Sequence, residues 1–183
     1  MPRYRVVVTS LLIVGGLAAC LLLIVWKRWH IGRVSGDVIA SDAGYWSYPR
    51  YKFAFPRIDS SNQTGSAFAV AGLPRDPLTF TLEVVGTRSG KAAVPEVVME
   101  GSRVSVRIVD RSNVTVYEGS DHIARWRWNT SVTHIALWHE SLCDMRFDPG
   151  ESYTVEIAIQ SEHDEIDAIV FEPRLSGGGN ELP

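Results

Sequence analysis

The sequence predicts an all-β protein, an antiparallel β-sandwich of the immunoglobulin-like or jelly-roll kind, preceded by one N-terminal transmembrane helix. Three observations predict it: an unbroken apolar run at residues 6–26, short stretches in which apolar and polar residues alternate, and turn residues between those stretches. No stretch after residue 26 keeps a 3.6-residue period. This pattern argues against a parallel α/β fold.

The apolar run reads VVVTSLLIVGGLAACLLLIVW and contains no charge and no proline. As a helix rising about 1.5 Å per residue it spans roughly 30 Å, the thickness of a bilayer hydrocarbon core. Tyr4, Trp26 and Trp29 flank it, where aromatic rings favour the headgroup level. The run exceeds the apolar part of a cleaved signal peptide, which is about 7–15 residues. We therefore expect a basic tail at residues 1–5 and a membrane-spanning signal anchor at residues 6–26.

Cys20 offers an alternative to a spanning anchor. Residues 17–20 read LAAC, which resembles the bacterial lipobox, whose Cys is lipidated and becomes the new N-terminus. The residues after Cys20 are LLLIVW rather than a polar tether, which favours the spanning helix. Positive charges flank both ends of the run, so counting them does not decide its orientation. We expect a single pass through a cell inner membrane, with the C-terminal domain in the periplasm or outside the cell.

Residues 27–47 show neither helical nor alternating periodicity and are predicted to be a tether. The β-sandwich domain is predicted at residues 48–175 and a disordered tail at residues 176–183. Within the domain, alternating apolar positions indicate strands with one buried face, and Gly, Pro, Asp and Asn separate them. The alternating residues are Tyr51, Phe53, Phe55, Phe68, Val70, Leu78, Phe80, Leu82, Val84, Val104, Val106, Ile108, Val114, Val116, Val155, Ile157, Ile159, Ala168 and Val170.

The most specific local pattern is FDPGESYTVEI at residues 147–157. A turn with Pro149 and Gly150 leads into a strand whose Tyr153 can return its hydroxyl to nearby backbone, as in the tyrosine corner of Greek-key sandwiches. The segment resembles the L-x-P-G-x-Y-x-V segment of immunoglobulin-like and related bacterial envelope domains, with Phe147 for Leu and one extra residue before Tyr153. With the anchor, the chain resembles bacterial envelope families that pair one membrane signal with one β-sandwich. The resemblance implies a fold and no activity.

The charge distribution argues against nucleic-acid binding. Residues 34–183 contain 13 basic and 21 acidic residues, a net charge of -8, and phosphate backbones require a basic surface. The domain contains one cysteine, Cys143, so it forms no internal disulfide, and we expect that thiol to be a small buried side chain. We expect no cofactor.

No nucleophile signature such as G-x-S-x-G occurs in the chain. An enzyme built around His134, His139 and Cys143 stays as one hypothesis, in which the imidazole activates the thiol. With Glu140 and Asp144 these residues are also the densest set of potential metal ligands. His134 and His139 would point to opposite faces of a strand, so we predict no metal site there. The acidic residues Glu162, Asp164, Glu165 and Asp167 lack a calcium-loop pattern and are interpreted as a solvated turn.

A tryptophan-rich segment is the remaining candidate for ligand binding. Alternation in Arg125-Trp126-Arg127-Trp128 would place both indoles on one face, with Trp138 following. Exposed, these rings could stack on sugars; buried, they would be core side chains. A carbohydrate-binding module that uses Trp126, Trp128 and Trp138 is therefore the second hypothesis for the function.

Asn62, Asn113 and Asn129 each begin an N-x-S/T sequon, which would be acceptor sites for N-glycosylation in a eukaryotic surface protein. Such a protein would normally carry disulfides in an extracellular domain, so we favour a bacterial envelope. The sequence thus predicts a membrane-anchored, non-catalytic binding or interaction module. Its expected partner is another envelope protein, since tethering both at one membrane raises their effective concentration.

Overall fold

A computed structural model describes residues 2–31, 33–42, 51–60, 65–87, 102–130, 135–161 and 169–177. These residues form one N-terminal helix, α1 (Pro2–Ile31), followed by β-strands. The strands are β1 (Ser35–Gly36), β2 (Ala40–Asp42), β3 (Tyr51–Ala54), β4 (Ile58–Asp59), β5 (Ser66–Ala71), β6 (Leu78–Thr87), β7 (Ser102–Asp110), β8 (Thr115–His122), β9 (Arg127–Thr130), β10 (Ile135–Trp138), β11 (Ser152–Ser161) and β12 (Ile169–Gly177).

The strands form two antiparallel sheets. The five-stranded sheet has the order β1-β5-β11-β7-β8, and the larger sheet has the order β2-β3-β12-β6-β10-β9, with β4 beside β12. Neighbouring strands are mostly distant in sequence, as in the β12–β6 and β11–β5 pairs. The prediction of an all-β protein with two antiparallel sheets is confirmed.

The core includes most of the apolar residues that the alternation predicted, together with residues outside that pattern such as Leu73, Trp126 and Leu142. Strand β7 shows the pattern directly, because Val104, Val106 and Ile108 are fully buried while Arg103 and Arg107 are exposed. Burying one such side chain stabilises the fold by about 1.5–3 kcal/mol. Val114, just before the edge strand β8, and Val116 within it depart from the prediction, since they are 57% and 43% exposed. Val170 on β12 also departs from it, because it is half-buried while Ile169 and Phe171 are buried.

Helix α1 contains the predicted apolar run and extends beyond it at both ends. It begins at Pro2, so residues 2–5 of the predicted basic tail are helical, and it ends at Ile31, inside the range predicted as a tether. Its described large apolar side chains are exposed, Leu12 at 72% and Leu22 at 70% among them. Within the part of the chain that the structure describes, no helix meets the requirements of length and apolarity for crossing a membrane.

Residues 33–42, also inside the predicted tether, are bound to the sandwich. Strand β1 pairs with β5, and strand β2 pairs with β3 of the other sheet. Between them the backbone N–H of Asp37 donates to the carbonyl of Ala69 at 2.7 Å, and the Asp37 carboxylate accepts from the Ala69 N–H at 2.6 Å. Isolated contacts of this kind leave no periodic signal, which is why the sequence pattern indicated a tether.

Gly72 makes this attachment possible. Its φ is +74°, a conformation that side-chain-bearing residues rarely adopt, and an added Cβ would lie 2.8 Å from the carbonyl carbon of Arg33 and closer still to its oxygen. The chain that leaves α1 therefore packs directly on the loop after β5. Gly32 alone separates the last helical residue, Ile31, from this contact at Arg33.

The turn before β11 has the predicted tyrosine corner. The Tyr153 hydroxyl accepts a hydrogen bond from the Asp148 N–H at 2.9 Å, and the Asp148 carboxylate accepts from the Gly150 N–H at 2.9 Å. The Tyr153 ring packs edge-on against Phe147 with ring centroids 5.0 Å apart. At the C-terminus, Ser176 and Gly177 of the predicted tail are the last residues of β12, and the remaining tail lies outside the described residues.

Candidate functional site

The outward faces of the two sheets differ in how much of their surface reaches solvent. On the larger sheet, the outward-facing Thr79, Thr81, Glu83 and Glu172 are each less than 9% exposed, and we call this the covered face. On the five-stranded sheet, most outward-facing side chains are exposed or half-buried, with Val109 as a buried exception, and we call this the open face. Its residues are Ala67, Ala69, Arg103, Ser105, Arg107, Glu118, Ser120, Glu156, Ala158 and Gln160.

A shallow depression of about 430 Å³ lies on the open face, and we call it the trough. Small side chains form it, because Ala67, Ala158 and Ser105 rise little above the backbone on three adjacent strands. Its volume is in the range of ligand-binding clefts, but its base is the surface of a sheet rather than an enclosed cavity. The complete lining is Gly65, Ser66, Ala67, Ser105, Arg107, Glu118, Glu156, Ile157 and Ala158.

One row of charged side chains borders the trough. Arg107 lies opposite Glu156 on one side and opposite Glu118 on the other in the strand register. Its Nε donates to the Glu156 carboxylate at 2.8 Å, and a second guanidinium nitrogen lies 2.7 Å from the same oxygen. Both side chains of this pair keep about a third or more of their surface exposed, so the pair itself contributes little stability. The pair instead places one positive and one negative charge at fixed positions on the open face.

The covered face contains a buried charged cluster that the sequence analysis missed. Glu83 and Glu172 lie directly opposite each other on β6 and β12, and the Arg174 guanidinium forms ion pairs with both. Arg57 adds a hydrogen bond from its Nε to Glu172 at 3.3 Å. Burial lowers the pKa of Arg174, with the positive charge of Arg57 as a smaller cause. The sequence does carry a trace of this cluster, because both strands have polar residues at alternate positions. Such a pattern predicts a solvent-facing surface and gives no sign that the polar side chains are buried.

His139 and Ser141 hold a short 3₁₀ turn, Glu140–Leu142, against the edge strand β8. The His139 Nδ1 accepts from the Ser141 N–H at 3.3 Å, and the Ser141 hydroxyl donates to the carbonyl of Glu118 on β8. Gly119 allows this close packing, because a Cβ there would lie 3.0 Å from His139, Ser141 and Leu142. This arrangement covers part of an edge strand, which is a structural role for both side chains.

Among the residues that the structure describes, Cys143 has no imidazole as a hydrogen-bond partner. Its thiol donates to the backbone carbonyl of His139 at 3.5 Å. Burial raises the pKa of the Cys143 thiol above its ordinary value of 9.0, and the neighbouring charge of Asp144 raises it further. The thiol is therefore protonated at neutral pH, whereas a nucleophilic cysteine needs the thiolate.

His134 and the acidic residues 162–167, which the sequence analysis considered with these side chains, lie outside the described residues. Among the residues that the structure describes, no group of three His, Cys, Asp or Glu side chains is placed to hold a metal ion.

Two of the three candidate tryptophans are buried. Trp126 is 2% exposed, packs in the core, and lies 5.5 Å from the His139 ring between centroids. Trp138 is 8% exposed and faces outward on the covered face, next to the core residue Leu137. Trp126 precedes strand β9 instead of alternating with Trp128 along it. Trp128 pairs with Leu137 in the strand register, and its side chain lies outside the described part.

The possible modification sites have different surroundings. Cys20 is exposed on α1, which continues past it to Ile31. Asn113 is exposed in the turn between β7 and β8, with a φ of 62° that Asn tolerates better than most residues. Asn129 lies in β9 with its side chain outside the described part, and Asn62 is not among the described residues.

Sequence reasoning missed the open face because it searched for chemistry-bearing side chains. The trough is formed by Ala, Ser and Gly, whose importance depends on which strands are adjacent. When the chain is compared with protein-family models, with curated proteins and with solved structures, no match is found, so the geometry of its own residues carries the functional argument.

Proposed function

We propose that the chain is a single-pass membrane-anchored β-sandwich that acts as a non-catalytic binding module of a bacterial cell envelope. Helix α1 is the anchor in a cell inner membrane, and the sandwich lies on the extracytoplasmic side. The exposed leucines and valines of α1 support the anchor, because a stretch of apolar side chains on every face of a helix favours a lipid surrounding. The uninterrupted helix beyond Cys20 supports a spanning anchor over a lipidated Cys20.

The strand order supports the jelly-roll form of the sandwich over the immunoglobulin-like form. If β1, β2, β4 and β9 are left aside, one sheet reads β5-β11-β7-β8 and the other reads β3-β12-β6-β10. The chain thus folds as two interleaved sets of Greek-key crossovers, which is the arrangement of jelly rolls. Jelly rolls host unrelated functions, so the fold alone selects none.

The contrast between the two outward faces carries the proposed binding function. On the covered face, Thr79, Thr81, Glu83 and Glu172 are buried, although Val85 near the end of β6 is 43% exposed. The open face instead presents a trough bordered by an arginine and two carboxylates. Arginine is enriched at protein interfaces. We therefore place the docking surface for another envelope protein on the open face, around Arg107.

A carbohydrate ligand is less well supported. Stacking on sugar rings needs exposed aromatic faces, and Trp126 and Trp138 are buried. None of the residues that line the trough is aromatic. A polypeptide partner, which binds small-residue surfaces through backbone and side-chain contacts, fits this face better.

Site-specific photo-crosslinking in living cells tests the docking surface. A photoreactive amino acid placed at Ala69 or Ser105 on the open face should yield an adduct with one defined envelope protein. The same amino acid at the exposed Lys52, outward on the larger sheet, is the matched control and should not. Ala67→Trp, which fills the trough, should reduce the adduct severalfold, while Ala67→Ser should not. Equal adducts from Lys52, or none from the open face, would contradict the proposal.

A further inference from the structure

The end of the sandwich that receives α1 carries two arginines around a second depression. Arg33 follows α1 after a single residue, and Arg111 lies in the turn between β7 and β8. Both line a depression of about 360 Å³, together with Gly72, Gly150 and Glu151. We call this end of the sandwich the proximal end. It consists of Arg33, the loop after β5, the β7–β8 turn and the turn before β11.

Chain connectivity fixes where the proximal end lies relative to the anchor. The predicted apolar run ends at Trp26, and α1 continues to Ile31, five residues further. At about 1.5 Å per residue this adds roughly 7.5 Å along the helix. The headgroup layer on each side of a bilayer is about 5–8 Å thick. The end of α1 therefore reaches the outer margin of the headgroups.

Arg33 cannot move far from that margin. Consecutive Cα atoms are about 3.8 Å apart, so Arg33 lies within about 8 Å of the end of α1 whatever the direction of the intervening bond. The backbone of Arg33 is packed on Gly72, and β1 is paired with β5. The depression and the β7–β8 turn are thus held close to the headgroups, without a long linker between them and the membrane.

The side chains of the proximal end suit that position. Arg33, Arg111 and Glu151 line the depression, which leaves one net positive charge. The two guanidinium groups have the paired N–H donors that a phosphate group accepts. The nearby Asp110 carboxylate is already engaged, since it accepts the N–H groups of Ser112 at 2.8 Å and Val114 at 2.9 Å. Val114, at the tip of the same turn, is 57% exposed, and a small apolar side chain beside an arginine is typical of surfaces that rest on a membrane interface.

We propose that the proximal end is a membrane-contact surface, in which Arg33 and Arg111 bind the phosphate of a phospholipid headgroup. This inference rests on the proposed anchoring by α1. It implies a fixed orientation: the proximal end faces the lipid, and the opposite end, with the exposed Ala124, points away from it. The open face then stands to the side, accessible to a neighbouring membrane protein.

Depth-dependent quenching tests this contact with the full chain reconstituted in vesicles of phosphatidylethanolamine and phosphatidylglycerol. A fluorophore is attached at Ser112→Cys or at the distal Ala124→Cys, in a background with Cys20→Ala and Cys143→Ala. Lipids with a nitroxide on the headgroup should quench the Ser112 label several-fold more than the Ala124 label. Equal quenching at both positions would overturn the contact.

Charge removal then tests the role assigned to the arginines. The double substitution Arg33→Ala and Arg111→Ala should lower quenching of the Ser112 label toward the Ala124 level. The matched control, Arg103→Ala with Arg125→Ala at the distal end, should leave it unchanged. If neither double substitution changes the quenching of the Ser112 label, the phosphate contact is overturned. Loss of quenching on adding inorganic phosphate, without any change in vesicle binding, would assign the arginines to free phosphate instead.

Resistance to alkaline carbonate separates the two proposals. If the chain stays in the carbonate-washed vesicles but both labels are quenched equally, the anchoring by α1 stands and the membrane-contact surface is overturned. A chain that carbonate extracts has no anchor, which overturns the proposed function and the inference with it.

Discussion

Replacing Gly72 by alanine should detach residues 33–42 from the sandwich. The added Cβ would overlap the backbone of Arg33, and the backbone would have to keep a φ of +74° that costs a residue with a side chain about 1–2 kcal/mol. If β1 moves to relieve the overlap, the two hydrogen bonds between Asp37 and Ala69 are lost. Each contributes about 0.5–1.5 kcal/mol. The expected loss is therefore about 2–5 kcal/mol for this region.

Two measurements on the full chain in detergent test this expectation. Urea unfolding followed by tryptophan fluorescence gives the free energy of unfolding of the sandwich. Trypsin cleavage after Arg33 reports local opening, because the carbonyl of that bond is packed on Gly72. If the free energy of local opening falls by about 2 kcal/mol, cleavage should be about 30-fold faster, because each 1.4 kcal/mol changes the population of the open state about tenfold.

Gly150→Ala is the matched control. It changes a glycine in the neighbouring turn, where a Cβ would meet only the Asp148 carboxylate at an ordinary 3.4 Å. Its unfolding free energy and cleavage rate should stay near those of the native chain. If Gly72→Ala behaves like Gly150→Ala in both measurements, residues 33–42 are not held against the sandwich, and the direct junction between helix and domain is refuted.

Three further substitutions or modifications have defined outcomes. Tyr153→Phe removes the acceptor for the Asp148 N–H and should cost about 1 kcal/mol in urea unfolding, whereas Tyr117→Phe, whose hydroxyl both donates and accepts, should cost more. Trp126→Ala should cost about 3–5 kcal/mol, since the ring is a core side chain; an unchanged unfolding midpoint would contradict its burial. In a Cys20→Ala background, the folded Cys143 thiol should react with iodoacetamide more slowly at pH 8 than in the urea-unfolded chain, and equal rates would contradict the raised pKa.

The raised pKa of Cys143 also has a consequence for stability. Because the folded state keeps the thiol proton to a higher pH than the unfolded chain does, the contribution of this group is fully present below about pH 9. It is lost as the pH rises through the folded-state pKa. Urea unfolding at pH 8 and pH 10 should therefore show a smaller drop in the free energy of unfolding for Cys143→Ser than for the native chain. An identical pH dependence in both chains would contradict the assignment.

The strands and the tyrosine corner were predictable because they are local. Alternation in Val104, Val106 and Ile108 records a buried face, and the spacing of Pro149, Gly150 and Tyr153 records a turn that leads into a strand. Both signals depend only on residues close together in sequence.

The attachment of residues 33–42 and the charged cluster on the covered face were not predictable in this way. Residues 33–42 are held by hydrogen bonds from Asp37 to Ala69 and from Ile39 to Ala54, and Ala69 and Ala54 lie in different sheets. The Glu83–Arg174–Glu172 contacts require β6 and β12 to be neighbours, although they are far apart in sequence. Sequence periodicity reports which face of a strand is apolar, but not which strands are adjacent or what covers their polar side.

The open face was missed for a related reason. Ala67, Ser105 and Ala158 are ordinary residues in sequence, and they form a trough only because β5, β11 and β7 are adjacent. The tryptophans attracted attention as chemically distinctive side chains, yet Trp126 and Trp138 are buried. Large aromatic residues serve packing more often than recognition, so their clustering in sequence was a weak guide to a binding site.

Thiol labelling combined with carbonate extraction tests the proposed anchoring and orientation most directly. Bacterial cells that express the full chain with Ala124→Cys, in a background with Cys20→Ala and Cys143→Ala, are converted to spheroplasts and treated with a membrane-impermeant maleimide, and their membranes are then washed with alkaline carbonate. The thiol introduced at the exposed position 124 should be labelled in intact spheroplasts, and the labelled chain should stay in the washed membranes. A thiol that is labelled only after the spheroplasts are lysed, or a chain that carbonate releases, would contradict a membrane-anchored extracytoplasmic domain.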